Sequence, residues 1–265
     1  MFKKFIAISI FLVISFGTFR AYALNISAAS AVLINSQTGN AVYEKNADKK
    51  MPMASTTKIM TAICAIENTN TNMPVKIDSR AAGIEGSSIY LNAGEVISIK
   101  ELLYGMMLNS GNDAATALAI ATSGSVEEFS LLMNKTARRI GAVSTHFVNP
   151  SGLYDENHYT TARDLARITA YAMKNPLFRH IVSTRELKVS SNAEGGVRYL
   201  KNHNKLLWQY DGCTGVKTGY TKKCGRCLVS SCKKTGTELI AVTLNAPDDW
   251  RDHKALFDYG FSSVK

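Results

Sequence analysis

The chain has 265 residues, of which 46% are hydrophobic and 20% are charged, and its formal net charge is +10. This length predicts one substantial globular domain, or a domain with an inserted lobe. Lys and Arg form no dense block with interleaved aromatic residues, which argues against nucleic acid as a partner. On an exported protein, this diffuse positive charge would suit an anionic cell-envelope surface.

Residues 1–23 are predicted to be a signal peptide rather than part of the fold. Lys3 and Lys4 precede an apolar run over residues 5–19, and Ala21-Tyr22-Ala23 has the small-x-small pattern of a cleavage site. The run is shorter than the about 20 residues that a membrane-spanning helix needs, although an uncleaved anchor is the alternative. In both cases residues 24–265 are expected to be exported as one folded domain.

The first elements in chain order are predicted strands. Residues 31–35 and 41–44 form a hairpin around a turn at 36–40. After a loop at Pro52, a helix with buried apolar side chains begins near Ser55 and ends before the polar residues 68–74. The Gly- and Ser-rich residues 77–95 are expected to be loop with short elements.

Helices fill the middle of the chain. Ser98-Ile99-Lys100-Glu101 is a capping box that opens one helix, and an apolar helix over 114–121 follows a polar turn at 109–113. Ser125 caps a further helix that extends to Arg139. Thr161 caps another, which is expected to end before Pro176.

After Pro176 the pattern predicts β-structure. Residues 185–190 alternate weakly, whereas 214–220, 225–231 and 238–244 are clearer strands, and 252–261 form a terminal helix. Two strands at the start and three at the end predict one antiparallel sheet of five strands, with a helical lobe inserted between them.

Ser55 and Lys58 are the first candidates for catalysis. Positions three apart lie on one face of a helix, so the lysine amine is within reach of the serine hydroxyl. A serine oxygen is a poor nucleophile until a nearby base takes its proton, and lysine serves as that base when burial or a second cation lowers its pKa. The pair therefore predicts a pocket and another lysine. Taken alone, it fits better an ordinary helix start with a solvated lysine.

Two further motifs supply candidates for the second lysine and for other polar groups of the pocket. Ser110-Gly111-Asn112 lies in the polar turn between two buried helices, and Lys217-Thr218-Gly219 lies on a late strand. Glycine on that strand would allow a ligand to approach the backbone closely. Ser-x-x-Lys, Ser-Asp-Asn and Lys-Thr-Gly, in this order, are the motifs of serine β-lactamases and penicillin-binding proteins, and this chain has Gly111 in place of the central Asp.

With these motifs the chain resembles the D-alanyl-D-alanine carboxypeptidases, the low-molecular-weight penicillin-binding proteins of serine peptidase family S11. The likeness covers nearly all of residues 28–261 and includes further matching segments at 86–88, 149–153, 158–162 and 202–207. It implies an α/β (α+β) fold of the β-lactamase/transpeptidase type, a five-stranded antiparallel sheet flanked by helices. It also implies that the site needs neither a metal nor an organic cofactor.

The resemblance implies roles in the reaction for three side chains. Ser55 would attack the carbonyl between the two terminal D-alanines of a peptidoglycan stem peptide, and Lys58 would take the Ser55 proton. Ser110 would pass a proton to the departing D-alanine amine. Penicillin, a strained copy of the same amide, would acylate Ser55 and leave slowly.

Further residues would bind the substrate, again by resemblance. Asn112 would orient Lys58 and the substrate amide, and Lys217 and Thr218 would hold the terminal carboxylate. The backbone N–H groups of Ser55 and Tyr220 would form the oxyanion hole, and Gly219 would allow the substrate to approach the strand closely. The implied partners are the peptidoglycan pentapeptide and β-lactam antibiotics.

The chain departs from the family in two respects. Many relatives continue into a β-rich second domain and a C-terminal amphipathic helix, and neither follows here, which puts the family's mode of membrane anchoring in doubt. His203 stands between two asparagines where some relatives carry an arginine.

Two other functions would use the same residues. A class A β-lactamase adds a glutamate that activates the deacylating water, and no Glu-x-x-Leu-Asn run lies between the second and third motifs. A penicillin sensor or wall-binding module would be acylated without turnover; intact Lys58 and Ser110 argue against this but leave it open. Transpeptidation is also open.

Five cysteines are present, four of them close together at 213, 224, 227 and 232. Cys224-x-x-Cys227 has the spacing of half a zinc site, but on a strand positions three apart face opposite sides, which argues against zinc. A hairpin about Lys222 would bring Cys213 opposite Cys232, and a disulfide between them is a hypothesis. His146 and His158 lack companion ligands and are expected to be structural.

Overall fold

The computed structural model describes residues 24–190 and 196–263. The predicted signal peptide lies outside the described residues. Within the described ranges, no helix combines the length and the apolar character needed to cross a membrane.

Nine strands, eight α-helices and two 3-10 helices, Ala54–Thr57 and Ser79–Ala81, make up the described part of the chain. The strands are β1 (Ser30–Asn35), β2 (Ala41–Lys45), β3 (Pro74–Lys76), β4 (Val96–Ser98), β5 (Glu186–Ser190), β6 (Val197–Lys201), β7 (Cys213–Thr221), β8 (Gly225–Lys234) and β9 (Thr237–Leu244). The helices are α1 (Lys58–Asn68), α2 (Ile99–Leu108), α3 (Asn112–Ser123), α4 (Val126–Ile140), α5 (Ala162–Ala172), α6 (Pro176–Ser183), α7 (Leu206–Gln209) and α8 (Asp249–Ser263).

The main sheet has the order β2-β1-β9-β8-β7, and every neighbouring pair is antiparallel. Successive side chains on a strand point to opposite faces, so the sheet is covered on both sides. Leu33 packs with α8 on one face, whereas its neighbour Val32 packs with the helical lobe on the other. The predicted five-stranded sheet with an inserted helical lobe is confirmed.

Local capping explains where several helices begin. The Ser98 hydroxyl accepts the Glu101 N–H while the Glu101 carboxylate accepts the Ser98 N–H, so the predicted capping box is present at the start of α2. Thr161 caps α5 through the Asp164 N–H, and Ser125 caps α4. These side chains satisfy N–H groups that have no partner within their helix.

The prediction of β-structure directly after Pro176 was wrong. Pro176 is the first residue of α6, and the Asn175 side chain caps that helix by accepting the N–H groups of Leu177 and Phe178. Proline suits this position because its missing N–H would have no helical partner. The weak strand at 185–190 exists as β5, but it pairs with β6 in a separate two-stranded sheet rather than joining the main one.

Candidate active site

Ser55 and Lys58 meet as the sequence predicts. Ser55 lies in a 3-10 turn at Ala54–Thr57, and Lys58 is the first residue of α1. The Lys58 ammonium lies 3.1 Å from the Ser55 hydroxyl oxygen. One turn of helical chain therefore places a base in hydrogen-bond contact with a nucleophile.

Lys58 is fully buried, at 0% exposure. Its ammonium also donates to Asn112 Oδ1 at 2.7 Å and to the Ser151 carbonyl at 2.6 Å. Burial, and secondarily the charge of Lys217, hold the pKa of Lys58 well below that of an ordinary lysine, although Asp113 opposes the shift. A lysine in this setting is neutral for part of the time and is able to accept a proton.

The turn between α2 and α3 brings Ser110 and Asn112 to the candidate active site. Ser110 has a left-handed backbone with φ of 63°, and Asn112 is the first residue of α3 rather than part of the turn. Asn112 Nδ2 donates to the Glu85 carbonyl at 2.6 Å, which fixes the amide so that its oxygen faces Lys58. Both side chains are buried, so little water competes for these bonds.

Asp113 holds the loop that closes this side of the site. Its buried carboxylate accepts the N–H groups of Ile89 and Leu91 and the hydroxyl of Ser88. This loop carries Ser87, which lines the cleft. The sequence reasoning missed Asp113, although its position directly after the Ser-x-Asn motif was a usable signal.

Strand β7 lies against the turn that carries Ser55. A Cβ added to Gly219 would lie only 3.0 Å from the Ser55 backbone nitrogen and 3.1 Å from the Thr56 nitrogen. The absence of a side chain at Gly219 therefore allows β7 to approach the Ser55 turn. This contact explains the glycine better than the approach of a ligand, which was the reason expected from the sequence. Tyr220 directly follows Gly219 on β7, so both predicted oxyanion-hole donors come from segments that pack against each other.

Lys217 lies beneath this strand rather than in the open cleft. Its side chain is 1% exposed, and its ammonium donates to the Thr218 carbonyl at 3.0 Å. Burial lowers the pKa of Lys217 to about 7. Two buried lysines thus share one region of the site, and the charge on Lys217 contributes to the lowered pKa of Lys58.

A hydrogen-bonded chain supports the residue before Ser55. The Val148 N–H donates to His158 Nδ1 at 3.1 Å, so Nε2 carries the proton and donates to the Thr57 hydroxyl at 2.8 Å. Thr57 in turn donates to the Ala54 carbonyl at 2.8 Å. Burial lowers the pKa of His158 to about 4, so it is neutral and structural in the native state.

Gly152 packs directly against Ala54, the residue before Ser55. A Cβ there would lie 1.9 Å from the Ala54 carbonyl oxygen, and the residue has φ of +86°. The segment around it also supplies the Ser151 carbonyl that binds Lys58. The 149–153 motif therefore fits closely against the Ser55 turn.

The cleft above Ser55 has a volume of about 380 Å³. Five of the eight predicted site residues line it, namely Ser55, Ser110, Thr218, Gly219 and Tyr220. Lys58, Asn112 and Lys217 lie behind this surface. The other lining residues are Ser87, His203, Lys205, Arg226, Asp249 and Trp250.

Arg226 and Asp249 are the site residues that sequence reasoning missed most clearly. Arg226 is the register partner of Tyr220 on β8, and its Nε donates to Asp249 Oδ1 at 3.1 Å at the start of α8. Asp249 is buried, whereas the Arg226 side chain is 47% exposed. The ion pair therefore holds a cation at the open side of the cleft. No spacing rule links these two positions, which meet only through the sheet.

Across residues 24–190 and 196–263, no group of His, Cys, Asp and Glu is arranged to hold a metal ion. Cys224 and Cys227 are both buried.

The family model of the D-alanyl-D-alanine carboxypeptidases, peptidase family S11, matches residues 18–248. The chain belongs to this family. The resemblance and the enzyme class predicted from the sequence, a serine peptidase of family S11, are thereby confirmed.

Individual S11 relatives agree with this assignment. The chain is 39% identical over 224 residues to D-alanyl-D-alanine carboxypeptidase DacF of Bacillus subtilis, covering 83% of this chain and 57% of DacF. It is 35% identical over 256 residues to the D-alanyl-D-alanine carboxypeptidase of Streptomyces sp. strain K15, covering 89% of this chain and 88% of that protein. The solved structure of the Streptomyces K15 DD-transpeptidase superposes with a TM-score of 0.85 at 34% identity, over 90% of this chain and 98% of the other.

Proposed function

We propose that residues 24–265 form a serine D-alanyl-D-alanine carboxypeptidase that removes the terminal D-alanine from peptidoglycan stem peptides through an acyl-enzyme on Ser55. The observation that carries the proposal is the contact between the buried Lys58 amine and the Ser55 hydroxyl, 3.1 Å apart at the floor of a cleft. The names of the S11 relatives supply the substrate class.

Acylation begins with proton transfer from Ser55 to neutral Lys58. The serine oxygen attacks the carbonyl carbon of the peptide bond between the two D-alanines, and the negative charge develops on the carbonyl oxygen. The N–H groups of Ser55 and Tyr220 stabilise that oxygen, and one such donor is typically worth about 3–4 kcal/mol in the transition state. The close fit of Gly219 against Ser55 keeps the two donors in one place.

The C–N bond then breaks, and the leaving amine needs a proton. Ser110 lines the cleft beside Asn112, whose side-chain oxygen binds Lys58. Lys58 returns the proton through the Ser110 hydroxyl to the D-alanine nitrogen, which departs as a neutral amine. Lys58 is then neutral again, and it takes a proton from the water that hydrolyses the ester.

The free carboxylate of the substrate distinguishes an exopeptidase from an endopeptidase. Thr218 lines the cleft, and the buried Lys217 ammonium donates to the Thr218 carbonyl. Arg226 adds an exposed guanidinium on the neighbouring strand, with its Nε held by Asp249. A carboxylate bound by Thr218 and Arg226 would make a charge-assisted hydrogen bond, the stronger kind.

Export and envelope association are part of the same proposal. The substrate lies outside the cytoplasm, and the charged and apolar pattern of residues 1–23 supplies a route to it. Loss of Lys3, Lys4 and Arg20 with residues 1–23 lowers the formal net charge from +10 to +7, which would still favour contact with the anionic envelope at low salt.

The direct test is release of D-alanine from diacetyl-Lys-D-Ala-D-Ala. The wild-type chain should release it catalytically, and Ser55→Ala should release none while keeping the same thermal unfolding midpoint. Acylation by penicillin without D-alanine release would instead support a sensor, and rapid turnover of penicillin would support a β-lactamase. If an added acceptor amine captures the acyl group faster than water does, the main activity is transpeptidation.

A further inference from the structure

Cys213 and Cys232 face each other across the β7–β8 hairpin. They are register partners, as the hairpin interpretation of the sequence predicts, and the register shifts by one residue between Cys213 and Gly215. The Lys233 N–H donates to the Gly212 carbonyl at 2.9 Å, whereas the Cys213 N–H donates to Tyr210 rather than to Cys232. This pattern makes 213 and 232 a non-hydrogen-bonded pair, in which the two side chains stand on the same face and closest together.

The backbone of such a pair meets the requirement of a disulfide. Directly opposed residues in non-hydrogen-bonded positions have Cα atoms about 4.5 Å apart, and disulfides join Cα atoms about 4.4–6.8 Å apart. We infer that Cys213 and Cys232 form a disulfide in an oxidising environment, which cross-links the edge strand β7 to β8. The modification is independent of the proposed peptidase activity.

The positions of the cysteines in the core favour pairing of Cys213 with Cys232 rather than with another cysteine. Cys232 packs in the core cluster on the α8 face of the sheet, and Cys213 packs against the same cluster. Cys64, Cys224 and Cys227 belong to the cluster on the opposite face. The sheet therefore separates the 213–232 pair from the other three cysteines.

In the thiol form each sulfur has only a weak partner. The Cys213 thiol donates to the Gly215 carbonyl and the Cys232 thiol to the Asp211 carbonyl, each at 3.4 Å. Oxidation gives up these two weak bonds. Gly212 leaves room beside the Cys232 sulfur, because a Cβ added at residue 212 would lie 3.3 Å from Cys232 Sγ.

Burial determines when the bond forms. Cys232 is 0% exposed, and burial raises the pKa of Cys213 to about 11 and that of Cys232 to about 12. Since the thiolate is the attacking species, exchange is slow in the folded protein and proceeds while the hairpin is still forming.

The chemistry is ordinary exchange with a small organic disulfide as the oxidant. One cysteine thiolate attacks a sulfur of the oxidant, so a mixed disulfide forms and one small thiol leaves. The second cysteine thiolate then attacks the protein sulfur of the mixed disulfide and releases the second small thiol. Two protein thiols are oxidised, one disulfide oxidant is reduced to two thiols, and the two protons pass to those thiols.

The cross-link would restrain the strand that carries the substrate-binding residues. Among the described residues, β7 is the edge strand of the main sheet and pairs with β8, and Lys217 lies four positions beyond Cys213 on it. A bond at the start of β7 would limit fraying of this edge. It should therefore raise the thermal unfolding midpoint, by about 5 °C or more for a chain of this size.

The test is to refold the whole reduced chain in a mixture of reduced and oxidised glutathione. Remaining thiols are blocked with N-ethylmaleimide in denaturant, and the chain is digested without reduction and analysed by mass spectrometry. The expected result is a Cys213–Cys232 cross-linked peptide that is lost on reduction, lost in Cys213→Ser and kept in Cys227→Ser. Dithiothreitol should lower the unfolding midpoint of the wild type but not of Cys213→Ser. Recovery of Cys213 and Cys232 as separate blocked thiols, or joined to other cysteines, would overturn the inference.

Discussion

The ammonium of Lys58 lies 3.1 Å from the hydroxyl oxygen of Ser55, at the bottom of the cleft and out of contact with solvent. A lysine in water is almost always charged and cannot accept a proton at neutral pH. Burial reverses this preference, and Lys217 adds a second positive charge nearby. The contact therefore couples a nucleophile to a base whose strength depends on the protonation of another buried lysine.

This coupling predicts a bell-shaped dependence of acylation on pH. Acylation needs Lys58 neutral, so it is lost as pH falls through the lowered pKa of that amine. It also needs Lys217 charged, so in the free enzyme it is lost as pH rises past about 7. The measurement is the second-order rate constant of penicillin acylation from pH 4 to 11. An alkaline limb near 10.5, the ordinary lysine value, would show that Lys217 is not buried as described.

Replacing Lys217 by methionine should abolish activity yet stabilise the fold at neutral pH. The pKa of Lys217 is lower in the folded state, about 7 against 10.5, so the unfolded chain binds more protons between these values. The wild type should therefore become more stable as pH rises from 7 to 10.5, and at pH 7 the buried amine costs up to about 5 kcal/mol.

Lys217→Met removes this cost, because methionine fills similar space without a charge. Its unfolding midpoint at pH 7 should be higher than that of the wild type by at least about 3 °C, and the difference should shrink towards pH 10. D-alanine release should fall at least about 100-fold. A variant that is less stable than the wild type at pH 7 would contradict the expectation.

Gly152 and Gly141 offer a matched test of the support beneath Ser55. Both have φ of +86°, but a Cβ at Gly152 would overlap the Ala54 carbonyl oxygen, whereas nothing lies within 4 Å of one at Gly141. Gly141→Ala should lose only about 1–2 kcal/mol of unfolding free energy from its left-handed backbone. Gly152→Ala should lose about 3 kcal/mol or more and reduce penicillin acylation at least tenfold, since Ala54 must move. Equal effects of the two substitutions would mean that Gly152 does not support the Ser55 turn.

Arg226→Gln should weaken binding of the substrate carboxylate specifically. The expected result is a KM for diacetyl-Lys-D-Ala-D-Ala that is about 10-fold higher, with kcat changed less than about twofold. The same peptide with a C-terminal amide should show no such change. Lys222→Gln, an exposed lysine on the same hairpin, removes the same charge and should leave both substrates unaffected. An equal loss on acid and amide would assign Arg226 a purely structural role.

The sequence predicted those features of the fold that depend on short stretches of chain. The capping box at Ser98 and the hairpins could be recognised because their signals lie within a few residues. The helix that begins at Pro176 was missed because proline was taken as the end of a helix, although Asn175 just before it is a good cap. The separate β5–β6 sheet could not be predicted, because alternation alone does not identify the partner of a strand.

Part of the candidate site could likewise be predicted from the sequence, and part could not. Ser55, Lys58 and the Lys-Thr-Gly motif carry spacing that points to their chemistry, and the structure brings them together. Arg226 and Asp249 carry no such signal, since they meet only where β8 and α8 come together. The reason for Gly219 was likewise visible only once β7 was seen against the Ser55 turn.

Intact mass after incubation with penicillin shows whether Ser55 becomes acylated with Lys58 as its base. We expect one adduct per chain that peptide mapping assigns to Ser55, formed with the wild type, absent in Ser55→Ala and formed at least about 100-fold more slowly in Lys58→Met. An adduct on any other residue, or unchanged labelling of Ser55→Ala, would contradict it.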